Sequence, residues 1–322
     1  MEEKLVLIIN EMTDYLSVTQ LKKLQEVLIM ALVEGEAQKQ SISNNEYLDL
    51  FLDAKKIEGC SARTLDYYEK TIRHLLNNIA TPIRKMTTDE IRAYLVSYQK
   101  INNCGKVTVD NIRRNISSFF SWLEEEDYIL KSPMRRIHKI KAKTVVKETI
   151  SDEAIEKLRD ECKEKRDLAM IDLLYSTGMR VGELVNLNTT DIDFEQRECV
   201  VFGKGDKERR VYFDAKTKIH LKEYLDSRGD DNPALFVTLD TPHDRLKISG
   251  VEIRVRNLGR SLGMNKIHPH KFRRSMATRA IDKGMPIEQV QKILGHSQID
   301  TTMQYAIVNQ NNVKTSHQKY IA

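Results

Sequence analysis

The sequence lacks long apolar runs, although 40% of its 322 residues are hydrophobic. A membrane-spanning helix needs roughly 20 consecutive apolar residues, so we expect no membrane partner. The opening MEEKLVLIIN is acidic and its apolar run stops at Ile9, which is not the pattern of a secretion signal. Proline and glycine are scarce, at 6 and 13 residues, and this scarcity excludes collagen-like and low-complexity material.

Cysteine and metal-ligand patterns are also sparse. The four cysteines lie tens of residues apart, so no close pair predicts a zinc site. The sequence contains neither a glycine-rich nucleotide loop nor an acidic and histidine cluster typical of two-metal nucleases. We therefore expect reduced thiols, a cytoplasmic location, no metal and no other cofactor.

Charge is spread unevenly along the chain, whose net charge is only +5. Residues 1–40 carry seven acidic and four basic residues and predict an acidic helical N-terminal extension. This extension is either a cap on the next domain or a protein-contact element. Residues 131–147 contain seven basic residues and no acidic one, which predicts an exposed linker. The linker either follows a phosphate backbone or is a solvated tether.

Hydrophobic periodicity predicts a folded domain on each side of this linker. Residues 41–130 contain four segments with apolar residues at i, i+3 and i+4, which is typical of a small helical bundle. Residues 148–322 combine helical patterns with three short segments rich in Val, Phe, Cys and Tyr, which predict strands. The expected fold class is therefore mainly α with a small β-sheet.

Several polar residues of the second domain lie where they could address a ligand. Arg180 begins a helix in STGMRVGEL, where a guanidinium and backbone N–H groups can converge on an anion. His270 and Arg273 are three residues apart and share a helix face. Each of these has an ordinary structural explanation when taken alone. Three more candidates are Lys204 in the polar hairpin GKGDKER, His296 after a helix end, and Tyr305 nine residues later.

Together these residues resemble the active-site set of the tyrosine recombinases, the phage integrase and Xer family. The matching stretches are TGMRVGEL, GKGDKERRV, HPHKFRRSMAT and LGHSQIDTTMQY, within a resemblance that covers residues 45–310 or so. It implies a SAM-like helical core-binding domain, a mixed α/β catalytic domain and a clamp around DNA. The catalytic residues carried over by position are Arg180, Lys204, His270, Arg273, His296 and Tyr305.

The resemblance also implies how the phosphodiester is attacked. Tyr305 would attack the phosphorus and hold the strand as a 3′-phosphotyrosine, so that resealing needs no ATP. Negative charge then gathers on the non-bridging oxygens, which Arg180 and Arg273 can clamp through bidentate hydrogen bonds.

Further roles follow from the same resemblance. Lys204 corresponds to the general acid for the leaving 5′-oxygen, while His270 would manage the tyrosine proton and His296 would donate to the phosphate. Glu183 matches an acidic position of the family and would support an active-site side chain. Arg274 stands where many relatives have histidine, but it lies outside the catalytic set.

The implied partners are double-stranded DNA with paired inverted-repeat core sites, further copies of the chain in a homotetramer on two DNA sites, and an accessory or directionality protein. A DNA substrate would associate the protein with the nucleoid. The predicted DNA-contacting residues of the linker are Lys131, Arg135, Arg136, Lys139, Lys141 and Lys143.

The expected activity is site-specific recombination through a Holliday junction. The N-terminal extension exceeds the minimal Xer plan and favours integration or excision of a mobile element. Xer-like resolution of chromosome dimers and DNA inversion stay open. So do a type IB topoisomerase, which shares the phosphotyrosine chemistry, and a DNA-binding protein without catalytic activity.

Overall fold

A computed structural model of the chain describes residues 2–37, 42–142, 148–203, 208–264, 266–296 and 298–306. The chain divides into two compact units, Met1–Thr144 and Val145–Ala322. The fold class expected from the sequence, mainly α with a small sheet, is confirmed. Within the described ranges, no helix is long and apolar enough to cross a membrane.

The first unit is helical, and capping boxes begin two of its helices. Ser43 and Thr87 each accept from the backbone N–H three residues on, while the glutamate there accepts from the cap's own N–H. The helices are α1 (Glu2–Met12), α2 (Val18–Ala37), α3 (Asn44–Ile57), α4 (Ala62–Asn78), α5 (Thr88–Ile101) and α6 (Lys106–Glu125). Helices α1 and α2, which form the N-terminal extension, contact each other.

Aromatic rings fill the core of the α3–α6 bundle. Phe51 of α3 meets Phe119 and Trp122 of α6 edge to face, with ring centroids 5.2 and 5.6 Å apart. Edge-to-face pairs add about 0.5–1.5 kcal/mol to the free energy that their burial already contributes. The aromatic side chains of this region are therefore structural.

The basic segment after α6 is anchored to the bundle over residues 131–140, which differs from a free tether. Met134 is buried, and Ile137 and Ile140 pack on the bundle core. The backbone N–H of Ile140 also donates to Asp110 of α6 at 2.9 Å. These apolar side chains alternate with exposed lysines and arginines, so one face of the segment is buried and the other faces solvent.

The second unit is built around α8, whose apolar side chains Ala169, Leu173 and Leu174 are fully buried. Helices α10 and α12 pack against α8. The elements are α7 (Asp152–Asp160), α8 (Lys165–Thr177), α9 (Val181–Asn186), β1 (Ile192–Asp193), β2 (Glu198–Phe202), β3 (Glu208–Tyr212), α10 (Ala215–Asp226), α11 (Ile248–Ser261), α12 (Pro269–Asp282), α13 (Ile287–Leu294) and α14 (Ile299–Ala306).

The three strands form an antiparallel sheet in the order β1-β2-β3, with one buried face. Cys199 pairs with Val211, and Val201 pairs with Arg209. Because side chains alternate along a strand, Arg209 shares the inner face with these apolar residues, whereas Arg210 lies on the outer face. The side chain of Arg209 is 11% exposed and that of Arg210 is 63% exposed.

Candidate active site

Arg180 occupies the cap position of the short helix α9 and is tied to Glu183 of that helix. Its backbone N–H donates to Glu183 Oε2 at 2.7 Å, and its Nη1 donates to Oε1 at 2.9 Å. The backbone N–H that the sequence suggested for an external anion is therefore taken by the protein's own carboxylate. The side chain of Arg180 remains 42% exposed, so its guanidinium can still receive a ligand.

Glu183 is buried and is shared by two arginines. Arg209 of β3 donates to its two carboxylate oxygens from Nη1 and Nη2, each at 2.6 Å. Burial alone would raise the pKa of Glu183, but the hydrogen bonds from Arg209 and from the Arg180 backbone hold it below its ordinary value. Glu183 is therefore a fixed negative charge that holds two guanidiniums in place.

Arg273 of α12 is only 1% exposed, although it carries a charge. Its Nη1 donates to the carbonyl of Gly178 at 2.7 Å, and its Nη2 donates to the carbonyl of Leu294. Burial, together with the positive charges of Arg180 and Arg209, lowers the pKa of Arg273 to about 10. A buried cation without a carboxylate bonded to it, within the described ranges, is the kind of group that an incoming anion stabilises.

Left-handed glycines set the carbonyls that hold these arginines. Gly178 ends α8 at φ 62°, and Gly295 ends α13 at φ 62°. This conformation favours glycine and turns the chain out of the helix. The carbonyl of Gly178 then accepts from Arg273, and that of Gly295 accepts from Arg180 Nη2 at 3.4 Å. The ends of two helices thus converge on one cluster of guanidiniums.

His296 and Tyr305 complete this cluster. The ring of His296 stacks beside that of Tyr305, with centroids 6.1 Å apart, and its Nδ1 lies 2.8 Å from Thr302 Oγ1. Burial and the charges of Arg273 and Arg180 lower the pKa of His296 to about 4. At neutral pH the imidazole of His296 is therefore uncharged. Tyr305 is buried in a small apolar cluster with Val290 of α13.

The other residues that the sequence singled out divide into four groups. His270 is exposed at the start of α12 and lies close enough to His296 to contribute to the lowered pKa of that imidazole. Arg274 turns elsewhere and donates to the carbonyl of Glu148. Lys204 and Lys143 lie outside the described residues. The remaining linker cations, which are all exposed, are Lys131, Arg135, Arg136, Lys139 and Lys141.

The cluster offers positive charge with little to neutralise it. Among the described residues, three guanidiniums, those of Arg180, Arg209 and Arg273, face one carboxylate, that of Glu183. Fixed cations in a partly buried site are suited to the charge that develops on a phosphate in a transition state. In the described part of the chain, no group of His, Cys, Asp and Glu is arranged to hold a metal ion.

Arg209 and Thr302 belong to this site but are not among the residues that the motifs suggested. Arg209 stands two residues before the buried Val211 of the same strand. The alternation of β3 therefore marks Arg209 as a charged residue on an inner face, and this signal is readable in the sequence. Thr302, which is fully buried, has no comparable signal because its partner His296 lies across a turn.

Comparison with known families matches most of the chain. The phage integrase family matches residues 146–312, and the N-terminal SAM-like domain of phage integrases matches residues 47–130. The first match spans the second compact unit, in which the arginine cluster lies. The second spans the α3–α6 bundle.

Similar proteins include the tyrosine recombinase XerC of Leptospira interrogans, which is 30% identical over 87% of this chain and 94% of that protein. The XerC of Oceanobacillus iheyensis is 27% identical over 85% of this chain and 95% of its own length. Among solved structures, the Tn1549 transposon integrase in complex with a circular intermediate DNA has a TM-score of 0.70 at 17% identity, covering 86% of this chain and 99% of that one. A lambda integrase dimer bound to a core site has a TM-score of 0.68 at 20% identity, covering 81% and 76%. The chain therefore belongs to the phage integrase family and is a tyrosine recombinase, an enzyme of DNA strand transfer.

Proposed function

We propose that the protein cuts and rejoins specific DNA sites through a covalent phosphotyrosine intermediate, with Tyr305 as the nucleophile. The observation that carries this proposal is the convergence of Tyr305 and His296 with the guanidiniums of Arg180 and Arg273. The ring of Tyr305 stacks beside that of His296, and the positive charges of Arg273 and Arg180 lower the pKa of His296, so these groups share one electrostatic site.

The reaction conserves the energy of the broken bond. The oxygen of Tyr305 attacks phosphorus, the bond from phosphorus to the 5′-oxygen breaks, and a 3′-phosphotyrosine bond forms. The tyrosine loses its proton, a step that we assign to His270. The 5′-oxygen gains a proton, and we assign its donor as Lys204 on the family resemblance. Attack by the 5′-hydroxyl of another strand reverses these steps and completes strand transfer.

The arginines stabilise the pentavalent transition state. Arg273 is charged, and its hydrogen-bond partners among the described residues are neutral backbone carbonyls, so a non-bridging phosphate oxygen is the best partner that it can gain. Arg180 is partly exposed and can present its guanidinium to the other non-bridging oxygen. Loss of one such clamp costs roughly 3–4 kcal/mol of barrier, by analogy with lost oxyanion donors.

His296 acts as a neutral hydrogen-bond donor in this scheme. We assign the tautomer in which the hydroxyl of Thr302 donates to Nδ1 and Nε2 carries the proton. A neutral imidazole can donate this Nε2 proton to a phosphate oxygen. Thr302 is thereby a positioning residue that fixes the ring orientation.

The exposed cations of the basic segment contribute affinity for DNA. Arg136, Lys139 and Lys141 are exposed while the backbone beneath them is anchored to the bundle. Fixed cations at the surface release counterions from phosphates without first having to be ordered. Arg135 differs, since its guanidinium pairs with Glu124 at 2.6 Å. We therefore assign it a smaller share of the DNA affinity.

The assembly that we propose is four copies of the chain on two DNA sites, exchanging strands through a Holliday junction. The similar structures include integrases in complex with DNA, and one of them is a dimer on a core site. The C-terminal segment is our candidate for the contact between neighbouring copies, with Ile307, Val308 and Val313 as its apolar anchors, and it lies outside the described residues. An accessory or directionality protein remains part of the proposal, with the acidic residues 1–40 as its contact.

For the biological role we propose integration and excision of a mobile element. Resolution of chromosome dimers is the second candidate, because the similar sequences include several named XerC. The position of the target site separates these roles. A target built of inverted repeats at the ends of an element that carries the gene supports the first role, whereas one unlinked chromosomal target supports the second.

Covalent capture tests the nucleophile and finds the DNA site in one experiment. Purified protein is incubated with a pool of nicked duplexes of random sequence and then denatured with SDS. DNA that stays linked to protein is sequenced to find the site. Wild type and Tyr212→Phe, a change at an exposed tyrosine of the same unit, should form the adduct. Tyr305→Phe should form none, and an adduct with this variant would remove Tyr305 as the nucleophile.

The same DNA separates the other candidate functions. A type IB topoisomerase would relax supercoiled plasmids that lack the captured site, whereas we expect relaxation and strand exchange only on plasmids that carry it. A DNA-binding protein without catalytic activity would bind the pool without yielding any covalent complex.

A further inference from the structure

We propose that Arg209 is a positioning residue that keeps Arg180 available for phosphate by neutralising most of the negative charge of Glu183. The inference deepens the proposed function and rests on it, because it assumes that Arg180 binds the scissile phosphate. It assigns a role to a residue outside the predicted catalytic set.

Arg209 is fully engaged within the protein. Its Nη1 and Nη2 donate to the two oxygens of Glu183 at 2.6 Å, and its Nε donates to the carbonyl of Ile293 at 2.9 Å. The side chain is 11% exposed. A guanidinium held by this fork on one side and by a carbonyl on the other cannot also grip a phosphate, so Arg209 does not qualify as a catalytic residue.

Arg180 shares the same carboxylate less completely. It makes one side-chain hydrogen bond to Glu183, at 2.9 Å, and a long one to the Gly295 carbonyl at 3.4 Å. The bidentate pair with Arg209 is the stronger geometry for a carboxylate. If Arg209 were absent, Glu183 would be a buried carboxylate with Arg180 as its main cation. An unpaired buried charge is costly, so the guanidinium of Arg180 would move closer to Glu183 and away from the substrate.

Arg209 also fixes the end of α13. The carbonyl that accepts from its Nε belongs to Ile293, one residue before Leu294, whose carbonyl holds Arg273. Gly295 lies directly against the arginine, since a Cβ there would come within 2.9 Å of Arg209 Cδ. One side chain therefore connects β3, the start of α9 and the turn that leads to His296.

The strand supplies a matched control. Arg210 is the next residue of β3, is also an arginine, and also pairs with a glutamate, Glu198, at 2.9 Å. It lies on the outer face and is 63% exposed. Arg209→Met and Arg210→Met thus remove the same group from the two faces of one strand, and Arg209→Lys keeps the charge while removing the fork.

The first measurement is the single-turnover rate of adduct formation on the captured site. Misplacement of a reacting or clamping group by about 1 Å costs roughly 100-fold in rate. We expect Arg209→Met to slow the reaction by about 10- to 100-fold, with Arg209→Lys close to it and Arg210→Met within about twofold of wild type.

The second measurement separates positioning from general structural support. In a background of Arg180→Ala, removal of Arg209 should slow the remaining reaction by about threefold or less, because its effect on Arg180 is already gone and only its contact with the end of α13 is lost. Adding Glu183→Gln to Arg209→Met should restore about tenfold in rate, because the neutral amide no longer competes for Arg180. Thermal unfolding of every variant shows whether the fold persists.

Each outcome decides between the alternatives. Equal rate losses from Arg209→Met in both backgrounds, or no recovery with Glu183→Gln, would overturn the positioning role even if all variants fold. An Arg209→Met protein as active as wild type would also overturn it. If wild type itself forms no adduct, the proposed function fails first, and the failure is not attributable to Arg209.

Discussion

Replacement of Arg273 with methionine should nearly abolish DNA cleavage while changing the stability of the fold little. The reasoning starts from the buried charge. The fall in the pKa of Arg273 from 12.5 to about 10 corresponds to roughly 3 kcal/mol that disfavours the charged side chain in its folded environment. Methionine has a similar length and removes this charge.

The opposing cost comes from the carbonyls that lose their donors. Gly178 and Leu294 would each leave a carbonyl unsatisfied at a helix end, at about 1–3 kcal/mol apiece. The two effects are of similar size and opposite sign. We expect the free energy of unfolding to change by no more than about 3 kcal/mol. For comparison, Phe272→Ala at the preceding position, where the ring is equally buried, should lower the free energy of unfolding by about 3–5 kcal/mol.

Urea unfolding followed by far-UV circular dichroism measures these changes. The only tryptophan, Trp122, lies in the first unit, so its fluorescence reports that unit separately and serves as an internal control. Adduct formation by Arg273→Met should fall by about 100- to 1,000-fold, the range seen for loss of an oxyanion donor. If Arg273→Met loses as much stability as Phe272→Ala, then the guanidinium supports the fold and our reasoning is refuted.

Three further predictions concern the site and the basic segment. Gly295→Ala should destabilise the protein by about 1–2 kcal/mol, because φ there is 62° and its Cβ would press on the pinned Arg209, and should slow adduct formation. The pKa of His296 is about 4 in the folded protein against 6.5 when unfolded, so the free energy of unfolding should fall as pH drops from 6.5 towards 4. The urea midpoint of His296→Gln should fall less than that of wild type over this window, and parallel pH profiles of the two proteins would contradict the shift. Arg136→Gln should lower the salt dependence of DNA binding by about 0.9 in log–log slope, and Arg135→Gln, whose ion pair already satisfies it, by less; equal changes in a filter-binding titration would argue against this distinction.

Much of the architecture could be predicted because each domain repeats simple patterns. Apolar residues at helical spacing mark the α3–α6 bundle, and capping residues such as Ser43 and Thr87 mark helix starts. These signals are local, so they survive in a single sequence. The mainly helical fold class with a small sheet follows from them.

The anchoring of residues 131–140 could not be predicted from charge. Seven basic residues dominate the composition of 131–147 and indicate exposure. Burial of Met134, Ile137 and Ile140 depends on where α6 and α5 end in space, which composition does not contain. A segment with one basic and one apolar face resembles a tether when its residues are only counted.

The candidate site shows the same division. The resemblance to tyrosine recombinases singled out Arg180, Glu183 and Arg273, which the structure brings together around Arg209. That resemblance gives the identities of the site residues but not the groups that each of them contacts. The position of Arg209 depends on the register between β2 and β3 and on the approach of α13, both of which are long-range. Strand alternation could have marked it, whereas its bonds to Glu183 and Ile293 could not be inferred.

The two arginines that we assign to phosphate are held by different kinds of group, so different mutations should displace them. Arg273 is held by the backbone carbonyls of Gly178 and Leu294, and no side-chain replacement removes a carbonyl. Arg180 depends on the side chain of Glu183. In a genetic screen for lost recombination, alleles that disable the first arginine should therefore fall on Arg273 itself and on residues that bend its supporting backbone. Alleles that disable the second should be scattered over a chain of interacting side chains, and suppressors should arise only among these.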